Sequence, residues 1–330
     1  MAQSLIDRAW RPTSADGIES DLAGLWREVG QQQVVARAVM SNLIVVRTAG
    51  GRDAEAPDAL PADLSLNDVV ARHPSRVIVI EHDREAAASG APSDVSVGIV
   101  TFGPPHGRYG VEEIVMRSAC AEESLPSIVR RLLRGDVPTS IWWIDDLSQA
   151  PPVDALVSLA RQIVYDSRAW SDVRRGVRGL AALRGRIDLA DVNWKRLTPL
   201  RHALIHACDA ADADDLRQGR VGIAHRAGDE ALAWLAAGWL SAQLRWGLDR
   251  IPAIEQRQEP DAIVTVSVGT TLTATLNDYR VLVTHGAETS FTVGVPQVSQ
   301  ADAVAAELRN LGHDTCLQDA LAALIERFPK

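Results

Sequence analysis

The stretch LPSIVRRLLRGDVPTSIWWIDDL, residues 125–147, decides the fold class of this chain. Its first half predicts an amphipathic helix, which Ser124 is suited to cap and Gly135 ends. The apolar side of that helix is formed by Ile128, Val129, Leu132 and Leu133. After a Gly-Asp-Val-Pro break, the β-prone run 141–144 predicts a buried strand that ends at Asp145 and Asp146. A helix that leads into a buried strand indicates a layered α/β arrangement.

The first half of the chain continues this pattern. A helix is predicted over 21–33 and another over 65–72, which Pro74 ends. Three successive strands, 76–80, 95–102 and 111–117, have no helix between them, which favours local antiparallel pairing. A helix over 153–161 and a short strand at 163–164 follow the Trp142–Trp143 strand.

The second half starts with Arg174–Asp188, which is rich in Arg and Gly and predicts a linker or mobile loop. Helices are predicted at Trp194–Cys208, Asp229–Trp246, Gln300–Leu311 and Cys316–Phe328, with Asp229 as a cap. Strict alternation over 261–295 predicts an antiparallel meander with one wet face. We therefore predict two α/β domains with mixed sheets, at 1–172 and 173–330, the second containing the meander.

Composition limits the possible functions of this chain of 330 residues. The formal net charge is −9, which argues against nucleic acid and anionic membrane as partners. Nearly all basic charge is arginine, since Lys195 and Lys330 are the only lysines. Schiff-base chemistry and P-loop phosphate transfer both require a placed lysine, so both are disfavoured.

Cysteine usage indicates a reducing compartment. The three cysteines, Cys120, Cys208 and Cys316, are widely spaced and form no C-x-x-C pair. Buried free thiols in a cytoplasmic protein are therefore expected. The first residues lack the features of a signal peptide, and the longest apolar stretch, 231–240, is too short to cross a bilayer.

Three segments resemble the glucose-6-phosphate dehydrogenase assembly protein (OpcA) family. They are the helix–Pro–Trp-Trp–acidic pattern of 125–147, the segment HPSRVIVI at 73–80, and DVNWKRLTPLRH at 191–202. The last resembles the family's D-x-x-W-x-R-L-T-P-W-R pattern, with Leu200 in place of the second aromatic. The order and spacing of the segments fit, so the resemblance covers most of the chain.

The resemblance implies a non-catalytic protein that binds glucose-6-phosphate dehydrogenase. It implies that binding promotes the active oligomer at the entry to the oxidative pentose phosphate pathway. No catalytic residue, cofactor or metal ion is expected. The candidate partner-binding residues lie in the two tryptophan segments and are Trp142, Trp143, Asp145, Asp146, Trp194, Arg196 and Arg201.

Each candidate also has a purely structural interpretation. Trp142 and Trp143 suit a core strand, whereas a tryptophan beside carboxylates also suits sugar stacking or an interface anchor. Asp145 and Asp146 are adjacent and are not expected to flank one scissile bond. Arg196 suits a phosphate, a partner's carboxylate or an internal ion pair.

A different class of function stays open at this stage. A sugar-phosphate-binding enzyme or sensor would place Trp142 and Arg201 in its pocket. His202 and His206 have the spacing of metal ligands on a helix, but Ala203 replaces the glutamate of H-E-x-x-H. The aspartates at 209, 212, 214 and 215 are expected to form a solvated acidic loop. The meander is a candidate docking surface, unless helices cover its edge.

Overall fold

The computed structural model describes residues 7–48, 66–82, 94–104, 106–118, 124–149, 154–208, 210–250, 252–257, 261–286 and 288–328. The strands in these ranges are β1 (Asp7–Thr13), β2 (Val35–Arg37), β3 (Ser41–Thr48), β4 (Ser75–His82), β5 (Asp94–Phe102), β6 (Arg108–Ser118), β7 (Thr139–Trp143), β8 (Gln162–Tyr165), β9 (Asp188–Asp191), β10 (Val221–His225), β11 (Ala253–Gln256), β12 (Val264–Val268), β13 (Leu272–Leu276), β14 (Arg280–His285) and β15 (Glu288–Gly294).

The helices in the same ranges are α1 (Ile18–Gln32), α2 (Leu66–Arg72), α3 (Leu125–Leu132), α4 (Asp154–Val157), α5 (Val173–Ala181), α6 (Val192–Arg196), α7 (Thr198–Ala207), α8 (Ala210–Arg217), α9 (Glu230–Leu244), α10 (Gln300–Arg309) and α11 (Thr315–Arg327). A single 3₁₀ turn at Ser167–Ala169 lies between β8 and α5. The α/β class is confirmed.

The chain divides into two compact units. The first comprises 1–145, 152–164 and 300–311, and the second comprises 146–151, 165–299 and 312–330. Each unit contains strands of a mixed sheet, and the meander lies in the second, as predicted. The domain boundary at 172/173 stays a prediction.

The first unit is organised around the sheet order β1-β5-β6-β4-β3-β7-β8, with β2 paired to β6. The strands from β6 to β8 run parallel, and β3 lies between β4 and β7. Val45 is in register with Val79 on one side and Trp142 on the other. Continuous apolar runs suit such strands, because both faces of a parallel sheet are covered.

One strand-pairing prediction was wrong. β5 and β6 form the expected antiparallel hairpin, but β4 lies parallel to β6 and to β3. The unbroken run Val77–Ile80 has no polar alternation, which is the pattern of a central parallel strand. Adjacency in sequence was therefore a poorer guide to pairing than the burial pattern.

The second unit contains the sheet β11-β10-β12-β13-β14-β15. β10 pairs antiparallel with β12, and each strand from β12 to β15 pairs antiparallel with the next. The short β11 pairs in parallel with β10. Helix α7 contacts β13, β14 and β15, while α9 contacts β10 and β11. Rows of valine and leucine on β12, β13 and β14 are almost fully buried, which places the core of this unit between sheet and helices.

The segment Arg174–Asp188 was wrongly predicted as a loop, because it contains helix α5. Asp172 caps this helix by accepting a hydrogen bond from the backbone N–H of Arg175. Val173, Val177 and Leu180 are spaced four and three residues apart and are buried. The arginines and glycines between them concealed this apolar stripe.

The predicted helix over Trp194–Cys208 is two helices, α6 and α7, separated at Leu197. Pro199 lies at the start of α7, where its missing N–H costs no helical hydrogen bond. The predicted helix over 153–161 is only the single turn of α4. Ser124 precedes α3, but its side chain makes no capping hydrogen bond.

The acidic segment after Cys208 is helical from residue 210 and is not uniformly solvated. Asp212 is buried and accepts hydrogen bonds from Thr271 Oγ1 at 3.3 Å and His285 Nε2 at 3.1 Å. Cys208 and Cys316 are half-exposed rather than buried, and Cys120 lies outside the described residues. None of the described helices is long and apolar enough to cross a bilayer.

Gly238 lies where α9 packs closely against α11 in the second unit. A Cβ atom at this position would lie 2.6 Å from the Ala320 carbonyl oxygen and 2.8 Å from Leu324 Cγ. We expect Gly238→Ala to lower the free energy of unfolding by about 1–3 kcal/mol, because the packing clash exceeds the gain of about 1 kcal/mol in helix propensity.

Urea unfolding of Gly238→Ala beside Gly30→Ala checks this expectation. Gly30 also lies in a helix, α1, but a Cβ there meets nothing within 4 Å. Gly30→Ala should therefore leave stability unchanged or raise it by up to about 1 kcal/mol. Equal responses of the two variants would contradict close packing at Gly238.

Candidate functional site

The first candidate cluster is the end of β7 in the first unit. Trp142 and Trp143 are each only 3% exposed. Trp142 is in register with Val45 and Val164, inside the parallel sheet. Trp143 Nε1 is buried and has no hydrogen-bond partner among the described residues. Both indoles therefore belong to the core of the first unit, where they fix the position of the strand end.

Asp146 stabilises the turn that follows β7. Its Oδ1 accepts from the Ser148 backbone N–H and its Oδ2 from the Ser171 backbone N–H, both at 2.8 Å. Burial alone would raise the pKa of Asp146, but hydrogen bonds from Ser148 and Ser171 outweigh it and lower the pKa. Both carboxylate oxygens are occupied, whereas Asp145 is half-buried after the strand. This geometry gives no pair of carboxylates facing one substrate bond.

The second candidate cluster begins at Asp191, at the start of α6. One carboxylate oxygen, Oδ1, accepts from the backbone N–H of Asn193 at 2.9 Å and of Ser167 at 3.1 Å. Asp191 thus caps α6 and fixes the 3₁₀ turn at Ser167 with the same atom. Asn193 Nδ2 donates to Ser167 Oγ at 3.0 Å, which closes a small buried network.

The other oxygen of Asp191 is buried without a hydrogen-bond partner among the described residues. Burial, followed by the negative charge of Asp166, raises the pKa of Asp191 to about 7, against the hydrogen bonds that lower it. The buried Tyr165 hydroxyl also lacks a partner among these residues. Burial and the charge of Asp191 raise the Tyr165 pKa well above its ordinary value. The cluster therefore contains a carboxyl group that titrates near neutral pH.

Trp194 is the centre of the second cluster and is fully buried. Its Nε1 donates to Asp314 Oδ2 at 3.1 Å, and the Arg201 guanidinium lies 4.0 Å from the centroid of its ring. Lys195 Nζ lies 3.4 Å from the same Asp314 oxygen. Burial opposes ionisation of Asp314, but the Leu317 backbone N–H, Lys195 and Trp194 together lower its pKa. Trp194 therefore joins α6 to the start of α11.

Arg196 forms an internal ion pair, which was one of its predicted roles. Its Nη1 donates to Asn193 Oδ1 at 3.0 Å and to Asp229 Oδ1 at 3.1 Å. Arg226 Nε donates to Asp229 Oδ2 at 3.0 Å. Because both Asp229 oxygens accept from arginines, its side chain makes no capping hydrogen bond to α9, contrary to prediction.

Arg201 is partly exposed and lies on α7 beside the first turn of α11. Its Nη2 donates to Thr198 Oγ1 at 3.1 Å, and its Nη1 lies 3.5 Å from Cys316 Sγ. The cation–π stack on Trp194 fixes the plane of the guanidinium. Arg201 therefore offers an oriented positive charge at the surface of the second unit.

No cluster of three or more metal-binding side chains occurs among the described residues. His202 is exposed on α7, and His206 lies one turn further along the same helix, also exposed. The sequence alone did not reveal the residues that accept hydrogen bonds in the second cluster, Asp229 and Asp314. Of the carboxylates in this cluster, only Asp191 was indicated by the sequence, as the first residue of the D-x-x-W segment.

Comparison with known proteins connects both clusters to one family. Residues 66–182 match a sequence model described as the glucose-6-phosphate dehydrogenase subunit N-terminal domain. Residues 187–321 match the corresponding C-terminal domain. The first cluster lies within the first match, and the second cluster lies within the second.

Two curated relatives are OxPP cycle proteins named OpcA. The protein of Nostoc punctiforme is 27% identical over 157 residues, covering 45% of this chain and 32% of the relative. The protein of Synechocystis sp. is 26% identical over 144 residues, covering 41% of this chain and 30% of the relative. The matched region is about a third of the length of these relatives.

A solved structure of UDP-N-acetylglucosamine 3-dehydrogenase GnnA from Acidithiobacillus ferrooxidans has a TM-score of 0.41 at 12% identity. It covers 89% of this chain and 97% of its own length. That likeness is too low to support a functional argument. The two domain matches, which together extend from residue 66 to residue 321, carry the assignment. The chain belongs to the OpcA family of glucose-6-phosphate dehydrogenase assembly proteins.

Proposed function

We propose that this protein is a non-catalytic assembly factor that binds glucose-6-phosphate dehydrogenase and promotes its active oligomer in the oxidative pentose phosphate pathway. The observation that carries the proposal is the pair of domain matches at 66–182 and 187–321, both described as parts of a glucose-6-phosphate dehydrogenase subunit. The names of the two curated relatives support the same pathway.

The contacts of the family-motif residues support a binding role. Asp191 Oδ1, Trp194 Nε1 and Arg196 Nη1 are hydrogen-bonded to other residues of the second unit. Side chains used in this way shape and hold a surface, whereas a catalytic group needs a free atom within reach of substrate. We infer that the D-x-x-W-x-R segment positions α6, α7 and α11 for a partner.

The seven candidate residues divide into two proposed roles. Trp142, Trp143 and Trp194 are buried and would act as scaffold, together with Asp146, whose oxygens are occupied by a turn. Three candidates are partly exposed, Asp145, Arg196 and Arg201, although Arg196 Nη1 already donates to Asn193 and Asp229. Of these, Arg201 is the best oriented, because the Trp194 ring fixes its guanidinium.

The energy that such a function requires is modest. A protein that binds the active oligomer better than the inactive form needs a coupling free energy of about 1–3 kcal/mol, which shifts the equilibrium about 5- to 150-fold. A few well-placed contacts supply that amount. The sugar-phosphate enzyme or sensor is not favoured, because the family assignment gives it no support.

The test is to titrate this protein into glucose-6-phosphate dehydrogenase from the same organism while activity and oligomer mass are measured. We expect activity to rise at least about fivefold as the enzyme shifts to a larger assembly that contains this protein. Co-migration without activation would leave only a scaffold, and no interaction at any concentration would reject the proposal. A thermal shift with glucose 6-phosphate would instead revive the ligand-binding alternative.

Two matched charge reversals refine this test. Arg201→Glu reverses the partly exposed guanidinium on α7. Arg27→Glu reverses an exposed arginine on α1, which donates to the Ala23 carbonyl. If Arg201 contacts the enzyme, we expect the first variant to need at least about tenfold more protein for half-maximal activation, and the second to match the wild type. Equal curves would remove Arg201 from the contact.

A further inference from the structure

The middle of one face of the sheet in the second unit consists mainly of small, uncharged residues. Residues in register across neighbouring strands share a face, and alternate residues along a strand point to opposite faces. One row across the sheet follows the register from β11 to β14 and contains Ala253, Gly222, Ser267, Thr273 and Thr284.

A second row lies beside the first on the same face. It runs from β10 to β15 and contains Ala224, Thr265, Thr275, Leu282 and Thr292. We call these two rows the open face. The alternate residues of β12 to β14 form the buried aliphatic rows against the helices.

The open face is accessible to solvent. Most of its side chains are half-exposed or exposed, and a Cβ atom built on Gly222 meets nothing within 4 Å. An open groove of about 580 Å³ runs over Gly222, Ala224 and Ser267. No described element of the second unit fills this groove.

The composition of the open face is unusual for a surface that remains in water. None of these ten residues is charged, although 23% of all residues in the chain are; the charged residues of this face, Glu255 in register with Ala224 and Arg280 two residues before Leu282, lie at its edges. Exposed protein surface is normally rich in charged residues, whereas the centre of a protein–protein interface is depleted of them. The open face therefore has the character of an interface centre.

The rim identifies the occupant. The groove is walled by two acids, Asp215 and Glu255, and by two bases, Arg220 and Arg257, so its charges sum to zero. In a chain of net charge −9, two copies repel each other over most of their surfaces, but not here. A two-fold axis brings each patch against itself, so a rim that carries both signs can place its acids against the bases of a second copy. We propose that the open face binds a second copy of this chain, forming an isologous dimer.

The dimensions of the face set the expected strength. Six strands about 4.8 Å apart, with five residues each rising about 3.4 Å, give a flat area of about 490 Å². A stable interface buries about 800 Å² on each partner, so the open face supplies its centre and the charged rim supplies the remainder. An interface of this size, with few large anchors, is expected to dissociate in the micromolar range.

The experiment is sedimentation velocity of the full chain from about 1 to 200 µM, which brackets that range. Gly222→Trp fills the groove, and Gly30→Trp is the matched control, since Gly30 also has open space above it but lies on α1. We expect a concentration-dependent dimer for the wild type and Gly30→Trp, and at least tenfold weaker self-association for Gly222→Trp.

Several outcomes would overturn the proposal. One is a wild type that stays monomeric at every concentration. Another is a dimer that Gly222→Trp does not weaken. The third is a monomeric wild type whose binding to glucose-6-phosphate dehydrogenase is abolished by Gly222→Trp. If Gly222→Trp fails to fold, Thr275→Arg introduces a charge on the same face. Hydrogen exchange of the wild type gives an independent readout, because amide protection in 264–284 should rise with protein concentration.

Discussion

Trp194→Ala is expected to lower the free energy of unfolding by about 3–5 kcal/mol, which is the usual cost of truncating a fully buried large aromatic side chain. The indole is fully buried, lies under the Arg201 guanidinium and donates to Asp314. Its removal opens a cavity and deprives Arg201 of its stacking partner. Because α6 and α11 meet at this side chain, we also expect the proposed activation of glucose-6-phosphate dehydrogenase to be lost.

Two variants separate the contributions of Trp194. Trp194→Phe keeps most of the packing but loses the donor to Asp314, so it should cost about 1–2 kcal/mol. Trp234→Ala truncates a half-buried indole on α9, whose Nε1 reaches only Glu230 at 3.3 Å, and should cost less than half as much as Trp194→Ala. Urea unfolding followed by circular dichroism measures all three. If Trp194→Ala and Trp234→Ala are equally stable, Trp194 is not the centre of this cluster.

The sequence predicted those helices and strands in which buried residues recur at a regular spacing. Alternation of valine and leucine with threonine predicted β12 to β14, since one face of that sheet is covered and the other is open. The helical spacing of 125–132 predicted α3 for the same reason. Helix α5 was missed because arginine and glycine separate its three buried aliphatic side chains and mimic the composition of a loop.

Only the residues of the candidate site that lie within one short sequence segment could be predicted. Asp191, Trp194 and Arg196 lie within six residues of each other, so the D-x-x-W-x-R pattern revealed them together. Their partners Asp229 and Asp314 lie 33 and 120 residues away from Arg196 and Trp194. Local sequence carries no information about pairs at that separation. The burial of Asp191 was equally hidden, because an aspartate beside a helix start usually indicates an exposed cap.

Asp191→Asn is expected to stabilise the protein above pH 7. The pKa of an unfolded aspartate is about 3.9, whereas burial, together with the charge of Asp166, raises the folded value to about 7. Between these values the folded chain holds a proton that the unfolded chain has released. Stability therefore falls as pH rises from about 4 to 7, and the full penalty is present above pH 7.

The size of this effect follows from the shift. Three pKa units at about 1.36 kcal/mol each set an upper value of about 4 kcal/mol, and we expect Asp191→Asn to recover about 2–4 kcal/mol at pH 8. Asparagine keeps the Oδ1 that accepts from Ser167 and Asn193, so the cap and the 3₁₀ turn survive. Only the buried charge is lost. At pH 4, where the Asp191 carboxyl is already neutral, the variant should match the wild type.

Asp146→Asn provides the control of opposite sign. Both oxygens of Asp146 accept backbone N–H groups and its pKa is lowered, so the ionised form is the stabilising one. Its asparagine variant should therefore be less stable than the wild type from pH 4 to pH 8.5, because the lowered pKa keeps Asp146 mostly ionised over this range. Urea unfolding of the three proteins from pH 4 to pH 8.5 separates the two cases. If the curves for the wild type and Asp191→Asn run parallel across this range, Asp191 is ionised throughout, and a neutral carboxyl at the start of α6 is excluded.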